Sequence, residues 1–417
     1  MKRKLLKQIG NEWRSNVWLG VELLIVSVVM WFITDNLYTT ISVLNEPRGF
    51  NTDHCYLIKY ALLNEQSPEF IHDRSGSDDN ADFLTLMDRL EKRPEIECVA
   101  AGQNSYFYNG SNSNTSMATD TFSSSGYLLR RLVSPDFPRV FRLQGANGET
   151  PEQLSEMLKE PRAFLISDNA FKEKYDLDHM GGFIGKEFAN QAYGDTLVLK
   201  AAYETARYSD FQMAEWSTSM MSACPENHYI DALNELMVRV RDNMDKDFIE
   251  NLMKDADSHF RIGNLYISSV QSFDDIRHIH QRDSVTGMRT FFAGAAFLAL
   301  NIFLGLLGTF WFRTRMRISE IAIRKANGAT RSDIFRRVIS EGEILLLVVT
   351  PVAVVFDWLI VHFEFNSYYH GGYFELSRFI ACVVIAWAFM ALMILLGILI
   401  PANRAMKIAP AKALMGE

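Results

Sequence analysis

The sequence predicts an integral membrane α-helical protein with four transmembrane helices and a large extracytoplasmic mixed α/β domain inserted between helices 1 and 2. Three observations carry that prediction. Four apolar runs reach the length of about 20 residues that a helix needs to cross a hydrocarbon core of about 30 Å. Lys and Arg gather at the ends of those runs that would share one side of a bilayer. The stretch between the first two runs, residues 35–289, holds 40 Asp and Glu against 25 Lys and Arg, whereas the rest of the chain holds 10 against 17. The formal net charge of −8 over 417 residues is therefore the average of an acidic insert and a basic, apolar base. With 48% hydrophobic residues and 4 Cys, disordered, collagen-like and disulfide-scaffold proteins are excluded.

Residues 17–33 are apolar except for Gly20, Glu22 and Ser27, which predicts helix 1 at 16–37. The segment 1–15 before it carries Lys2, Arg3, Lys4, Lys7 and Arg14. No small-residue cleavage site follows the run, and Trp31, Phe32 and Tyr38 stand where one would be needed, so it reads as an anchor rather than a cleaved signal peptide. Residues 291–312 and 379–400 contain no charge, and residues 344–363 are interrupted by Asp357 and His362. These runs predict helices 2, 3 and 4 at 289–312, 339–363 and 378–400. The loop 313–338 holds eight Lys and Arg against Glu320 and Asp333, and the tail 401–417 adds Arg404, Lys407 and Lys412. The link 364–377 has Glu364 and Glu375, with a single Arg378 at its end. By the positive-inside rule both termini and the loop 313–338 are cytoplasmic, and the insert 38–288 lies outside. In a bacterium that is the inner membrane, with the insert in the periplasm.

The insert is long enough to bury its own core. Residues 55–63 read as a buried strand. Phe83, Leu84, Leu86, Met87 and Leu90 recur at helical spacing up to Pro94, and residues 96–101 return as a strand, making a strand–helix–strand unit. Residues 104–125 are rich in Ser, Asn and Thr and predict an exposed loop or hairpin. Short strands and helices alternate from 127 to 210, followed by a strand over 229–240, a helix over 245–258 and a strand over 265–270. The insert thus divides into a membrane-proximal part (38–124 and 226–288) and an inserted subdomain (125–225). Cys55, Cys98 and Cys224 lie in the insert and Cys382 in helix 4. Three outer cysteines form no framework, although one bridge among them stays open.

The most informative stretch runs from 317 to 334. Ile321 and Ala322 share a helical face, and Arg324 and Lys325 follow at the end where the helix dipole favours cations. Asn327-Gly328 is a helix stop, and Thr330-Arg-Ser-Asp333 matches a capping box that opens the next helix. A short helix, a break and a new helix would present a compact charged elbow to the cytoplasm. A plain positive-inside loop accounts for the same charges.

The run Glu320-Ile-Ala-Ile-Arg-Lys-Ala-Asn-Gly-Ala-Thr-Arg-Ser-Asp-Ile334 resembles the signature of FtsX-like ABC transporter permeases of the MacB type, in which Glu-Ile-Gly-Ile-Arg-Lys-Ala-Leu-Gly-Ala-Ser/Thr follows the second membrane helix. The resemblance extends over the order of helices, the large insert and the terminal stretch from Pro401 to Leu414. Val133-Ser-Pro-Asp-Phe137 and Phe183-Ile-Gly-Lys186 also resemble family landmarks. Ala322 and Asn327 depart from it, where the family more often has Gly and Leu. The resemblance implies that the elbow docks on a cytoplasmic ABC ATPase, with Glu320, Arg324, Lys325, Gly328, Ala329, Arg331 and Asp333 at or near the contact. The ATPase must be a separate chain that binds ATP and Mg, because no G-x-x-x-x-G-K-[ST] occurs here; no cofactor is expected on this chain.

Four helices are too few to enclose a wide pore, so a homodimer or a pair with a homologous permease is expected in the lipid bilayer. A periplasmic adaptor or envelope partner fits the same scheme, and nucleic acid does not. The implied function is to relay ATP-driven motion to the periplasmic domain and so export or release a substrate by mechanotransmission. Two alternatives are a relay that activates an envelope enzyme such as a cell-wall hydrolase, and an ATP-independent envelope sensor.

Two intramembrane acids call for partners. Glu22 suggests a helix–helix contact or snorkelling, and Asp357, with His362 near the outer end of helix 3, suggests interfacial solvation. His278-x-His280 would place two imidazoles on one face of a strand, without a further ligand set. The acidic stretch 73–82 lacks the Gly and terminal Glu of a calcium loop. No nucleophile–base constellation is evident, so no catalytic site and no enzyme activity are expected.

Overall fold

The computed structural model describes residues 13–110, 113–124, 127–316 and 318–407. The basic residues of 1–12 and 408–417, Arg317, and the side chains of Arg14, Arg313, Arg331, Arg404 and Lys407 lie outside the described residues. The chain forms two compact units, one from residues 1–42 and 286–417, the other from 43–285.

Five helices make the first unit or run into it: α1 (Trp13–Asn45), α8 (Phe273–Met316), α9 (Ile318–Ala326), α10 (Arg331–His362) and α11 (Leu376–Lys407). Four of them contain stretches long and apolar enough to cross a membrane: Val17–Asn45, Phe273–Phe312, Ser332–His362 and Leu376–Leu399. Their inward faces meet in a core that includes Leu23, Trp31, Leu306, Leu346, Met390 and Ile394. Gly342 is required by the packing of α10 on α11, since a Cβ there would come within 2.7 Å of Ile394 Cγ2. The outward faces stay apolar, with Phe297, Val355 and Val384 each more than half exposed, the pattern of helices whose surroundings are themselves apolar.

α8 begins 16 residues before the first residue expected of helix 2. The cause is local. Ser272 Oγ accepts from the backbone N–H of Asp275 at 3.1 Å and donates to the Asp275 carboxylate at 2.6 Å, which starts a helix ahead of the polar residues 274–290. His278 and His280 therefore lie two positions apart on a helix, not on one face of a strand.

The second unit is a mixed sheet flanked by helices. Its first half runs β1 (Cys55–Leu62), α2 (Gly76–Glu91), β2 (Ile96–Gln103), β3 (Asn114–Thr115), β4 (Met117–Ala118), β5 (Leu128–Val133) and α3 (Phe137–Val140). Next come α4 (Pro151–Leu158), β6 (Ala163–Ser167), α5 (Lys172–Tyr175), β7 (Glu187–Asn190), β8 (Thr196–Tyr203) and β9 (Ser219–Ala223). α6 (Tyr229–Ala232), β10 (Glu235–Val240), α7 (Phe248–His259) and β11 (Leu265–Ser272) complete it. The strand order is β11-β1-β10-β2-β5-β9-β6-β8-β7-β4, with β3 also on β5.

β1, α2 and β2 form the expected strand–helix–strand unit, but β10 enters between the two strands and pairs antiparallel with both. The register places Leu57, Met237 and Ala100 side by side on one face and Ile58, Leu236 and Ala101 on the other. Alternation then feeds two cores. One packs Phe83, Leu86 and Leu90 of α2 with Phe248 and Leu252 of α7, and the other packs Phe137, Phe141 and Leu154. Residues 229–240, read as one strand, split into α6 and β10. β2 also pairs with β5 through Gly102↔Val133 and Gln103↔Leu132, so one ladder crosses residue 125.

The stretch 104–125 is not simply exposed. Ser105, Phe107, Tyr108 and Asn109 are buried. The Phe107 ring stacks on Phe50 with centroids 3.7 Å apart, while Ser105 and Asn109 satisfy the buried carboxylate of Glu235. A polar composition marked a surface loop, but these polar residues are needed inside to hydrogen-bond a buried acid. Cys55, Cys98, Cys224 and Cys382 are all unbridged and buried. Burial pushes the Cys55 and Cys98 thiols up to about 12, leaving them protonated and unreactive at neutral pH.

Candidate functional site: the elbow and the polar groups of the helical unit

The elbow folds from three local devices. α9 ends in a Schellman motif: Ala329 N–H donates to Arg324 O at 3.0 Å and Gly328 N–H to Lys325 O at 3.0 Å, while Gly328 takes φ +91°, which only glycine adopts without strain. Thr330 then caps α10. Its Oγ1 accepts from Asp333 N–H at 3.2 Å, and the Asp333 carboxylate accepts from Thr330 N–H at 3.0 Å. Between the two, Ile321 and Ile334 are buried against each other with Ala329 packed on them. The angle between α9 and α10 is set by an apolar contact as well as by the turn.

Of the residues expected at a docking surface, Gly328 and Asp333 are exposed, Ala329 and Lys325 are partly so, and the Arg331 side chain lies outside the described residues. Glu320 and Arg324 face one another. Arg324 donates to Glu320 Oε1 from Nη2 at 2.8 Å and from Nε at 3.1 Å, and Arg337 Nη2 of α10 lies 3.7 Å from the same oxygen. This cluster edges a small cleft of about 40 Å3 whose wall is Phe310, Ile321, Ile334, Val338 and Leu345. Its floor is apolar and its rim charged. Thr330→Ala removes the acceptor for one orphan N–H and is expected to weaken the start of α10 by about 1 kcal/mol. Amide exchange at Asp333 and Ile334 should accelerate severalfold while α11 exchanges as before.

Glu22 makes the helix–helix contact the sequence suggested, accepting from Thr309 Oγ1 of α8 at 3.2 and 3.4 Å. Asp357 does not sit in a solvated rim. It is 3% exposed and lines a small cavity between α1, α10 and α11 with Ser27, Trp31, Thr350 and Trp387. Asp357 Oδ1, Ser27 Oγ and both indole N–H groups have no hydrogen-bond partner among the described residues. The helices converge where a one-dimensional count placed an interface. His362 instead stacks on Trp358 at 5.1 Å.

One pair escaped the sequence reading. Asp35 of α1 and Arg378 of α11 are both buried, with Nε 2.9 Å from Oδ1. Arg378 Nη2 donates to Ser367 O at 2.7 Å and Tyr373 O at 3.0 Å, and Ser367 N–H donates to Asp35 Oδ2 at 3.3 Å. The pair ties α1, the link and α11 together at the end of the helical unit away from the elbow. A signal existed in the sequence: opposite charges flanking two apolar runs, at ends the topology places together. Among the described residues no group of three His, Cys, Asp or Glu is placed to hold a metal ion.

Residues 292–410 match the family described as FtsX-like permease C-terminal. That span takes in three of the apolar helices and the elbow. No curated protein matches the chain. The match supports the FtsX-like permease family over that segment.

Proposed function

We propose that this chain is the membrane subunit of an ABC transporter of the MacB/FtsX-like type, in which a separate cytoplasmic ATPase docks on the elbow and drives motion that reaches a periplasmic insert. The observation that carries this reading is the elbow itself: a helix stopped by Gly328 and restarted by Thr330, lying between two apolar helices inside the segment that matches the permease family. In such a subunit the ATPase binds ATP and Mg, and this chain supplies positioned charges and a fixed helix angle. The four apolar helices cross the inner membrane with the elbow on the cytoplasmic side. Their exposed apolar faces pack against lipid and a second permease. Work is done on a substrate held outside, and transport is by mechanotransmission because coupling needs only an element whose two states are biased from both ends.

The test is purification of the full chain in detergent with its candidate ATPase. Co-purification and severalfold faster ATP hydrolysis are expected. A folded chain that neither retains nor stimulates an ATPase would remove the reading.

A further inference from the structure

Three arginines of the insert are almost completely buried: Arg131 and Arg207 at 1% exposure and Arg239 at 0%. Two have their guanidinium groups fully used. Arg239 donates to Val140 O, Asp53 O and Asn51 O at 2.6 to 2.8 Å, and Arg207 donates to Gln212 O, Glu46 O and Asp210 O. Arg131 differs. Nη1 donates to Ser105 O and the guanidinium lies over the Phe107 ring at 4.6 Å, but Nε and Nη2 have no hydrogen-bond partner among the described residues. These two nitrogens form the edge of a guanidinium that presents two parallel N–H groups, the fork that a carboxylate fills. The nearest acid does not fill it. Both oxygens of Glu235 are taken by Ser105 and Asn109.

Arg131 lines a cleft of about 250 Å3 in the insert, with Tyr127, Leu129, Tyr208, Gln212 and Trp216 around it. Tyr127 is 83% exposed and Trp216 52%, so an aromatic surface stands at the mouth above a buried cation. The loop bearing Gln212 and Trp216 is held by the Arg207 bonds to Gln212 O and Asp210 O and by Gln212 Nε2 donating to Trp216 O at 2.9 Å. The Nε–Nη2 edge is itself buried, so a wall of the cleft must shift for a ligand to reach it.

We propose that this cleft binds a carboxylate ligand, its two oxygens on the Nε–Nη2 edge of Arg131 and its apolar or aromatic body against Tyr127 and Trp216. Charge selects the class. Among the described residues Arg131 is the single cation lining the cleft, so one carboxylate neutralises it, whereas a phosphate would carry a second, unpaired charge into a buried place. The inference does not rest on the coupling at the elbow, and its test needs no ATPase.

The full chain in detergent, with 15N-labelled arginine, is titrated with benzoate, benzamide and phenyl phosphate. The Nε–H resonance of Arg131, identified by its loss in Arg131→Met, is expected to move with benzoate, which binds at least ~10-fold more tightly than benzamide because it makes charge-assisted bonds. Arg131→Met abolishes the benzoate preference. Tyr127→Ala, a surface change, weakens benzoate about threefold to tenfold. Equal binding of benzoate and benzamide, unchanged benzoate binding by Arg131→Met, or tighter binding of phenyl phosphate each overturns the proposal. If Arg131→Met does not fold, an arginine spectrum unmoved by saturating benzoate, or unweakened binding by Tyr127→Ala, overturns it equally.

Discussion

An Arg324→Glu/Lys325→Glu chain is expected to lose at least ~10-fold in affinity for its ATPase, and with it the stimulation of ATP hydrolysis. Like charges brought together across an interface cost several kcal/mol, and about 1.4 kcal/mol is tenfold. The elbow has the geometry for such an effect because its charges project from a rigid turn rather than from a loose loop, so reversing them changes what the partner meets without changing where. A complication is local. Arg324 already bonds Glu320, and a Glu at 324 would set two acids at i and i+4, costing a few tenths of a kcal/mol within the helix. Lys325→Glu alone leaves the Glu320–Arg324 pair in place, so it separates docking from helix stability. If both variants hold and stimulate the ATPase like the parent while retaining its melting behaviour, the elbow is not the docking surface.

The second large effect concerns stability. Asp35→Leu leaves the Arg378 guanidinium buried without its counter-charge, and removal of one partner of a buried pair costs about 3–5 kcal/mol. Asp35→Leu/Arg378→Met should recover much of that loss, because two apolar groups replace two charges of similar volume. Recovery stays partial, since Ser367 O and Tyr373 O lose the Arg378 donor in the double variant and keep only Asn366 Nδ2 among the described residues, at 3.4 and 2.9 Å. The measurement is the midpoint of unfolding in mixed detergent micelles for the four chains of the cycle. Losses that simply add would mean that the two side chains are not coupled, and the tie between α1 and α11 would have to be sought elsewhere.

What was legible in the sequence followed the range over which each signal acts. The stop at Gly328 and the capping box at Thr330 were readable because every atom involved lies within a few residues of the next, and the same holds for the helix containing Phe83, Leu86 and Leu90. Glu22 announced that it needed a partner, though not that Thr309 would supply it. The start of α8 did not follow from the apolar run although its signal is equally local: Ser272 with Asp275 is a cap, and the polar residues 274–290 separate it from that run.

Asp357 and Asp35 were misjudged or missed for another reason. Distance along a helix reports depth, whereas burial depends on which faces of three helices converge, and the partner of Asp35 lies 343 residues away.

By itself, then, the sequence determined the two populations of the chain, the four apolar helices, the break at the elbow and the presence of a strand–helix–strand unit in the insert. These rest on composition and short-range periodicity, where each residue's neighbours in sequence are also its neighbours in space. Only the tertiary structure decided that β10 separates β1 from β2, that Asp35 meets Arg378, and that Arg131 is buried with one edge unfilled while Arg207 and Arg239 are satisfied. A strand's alternation says which face a side chain takes but not which strand lies beside it. The environment of a buried charge is made by segments that pairing and packing bring together, and no window along the chain contains them.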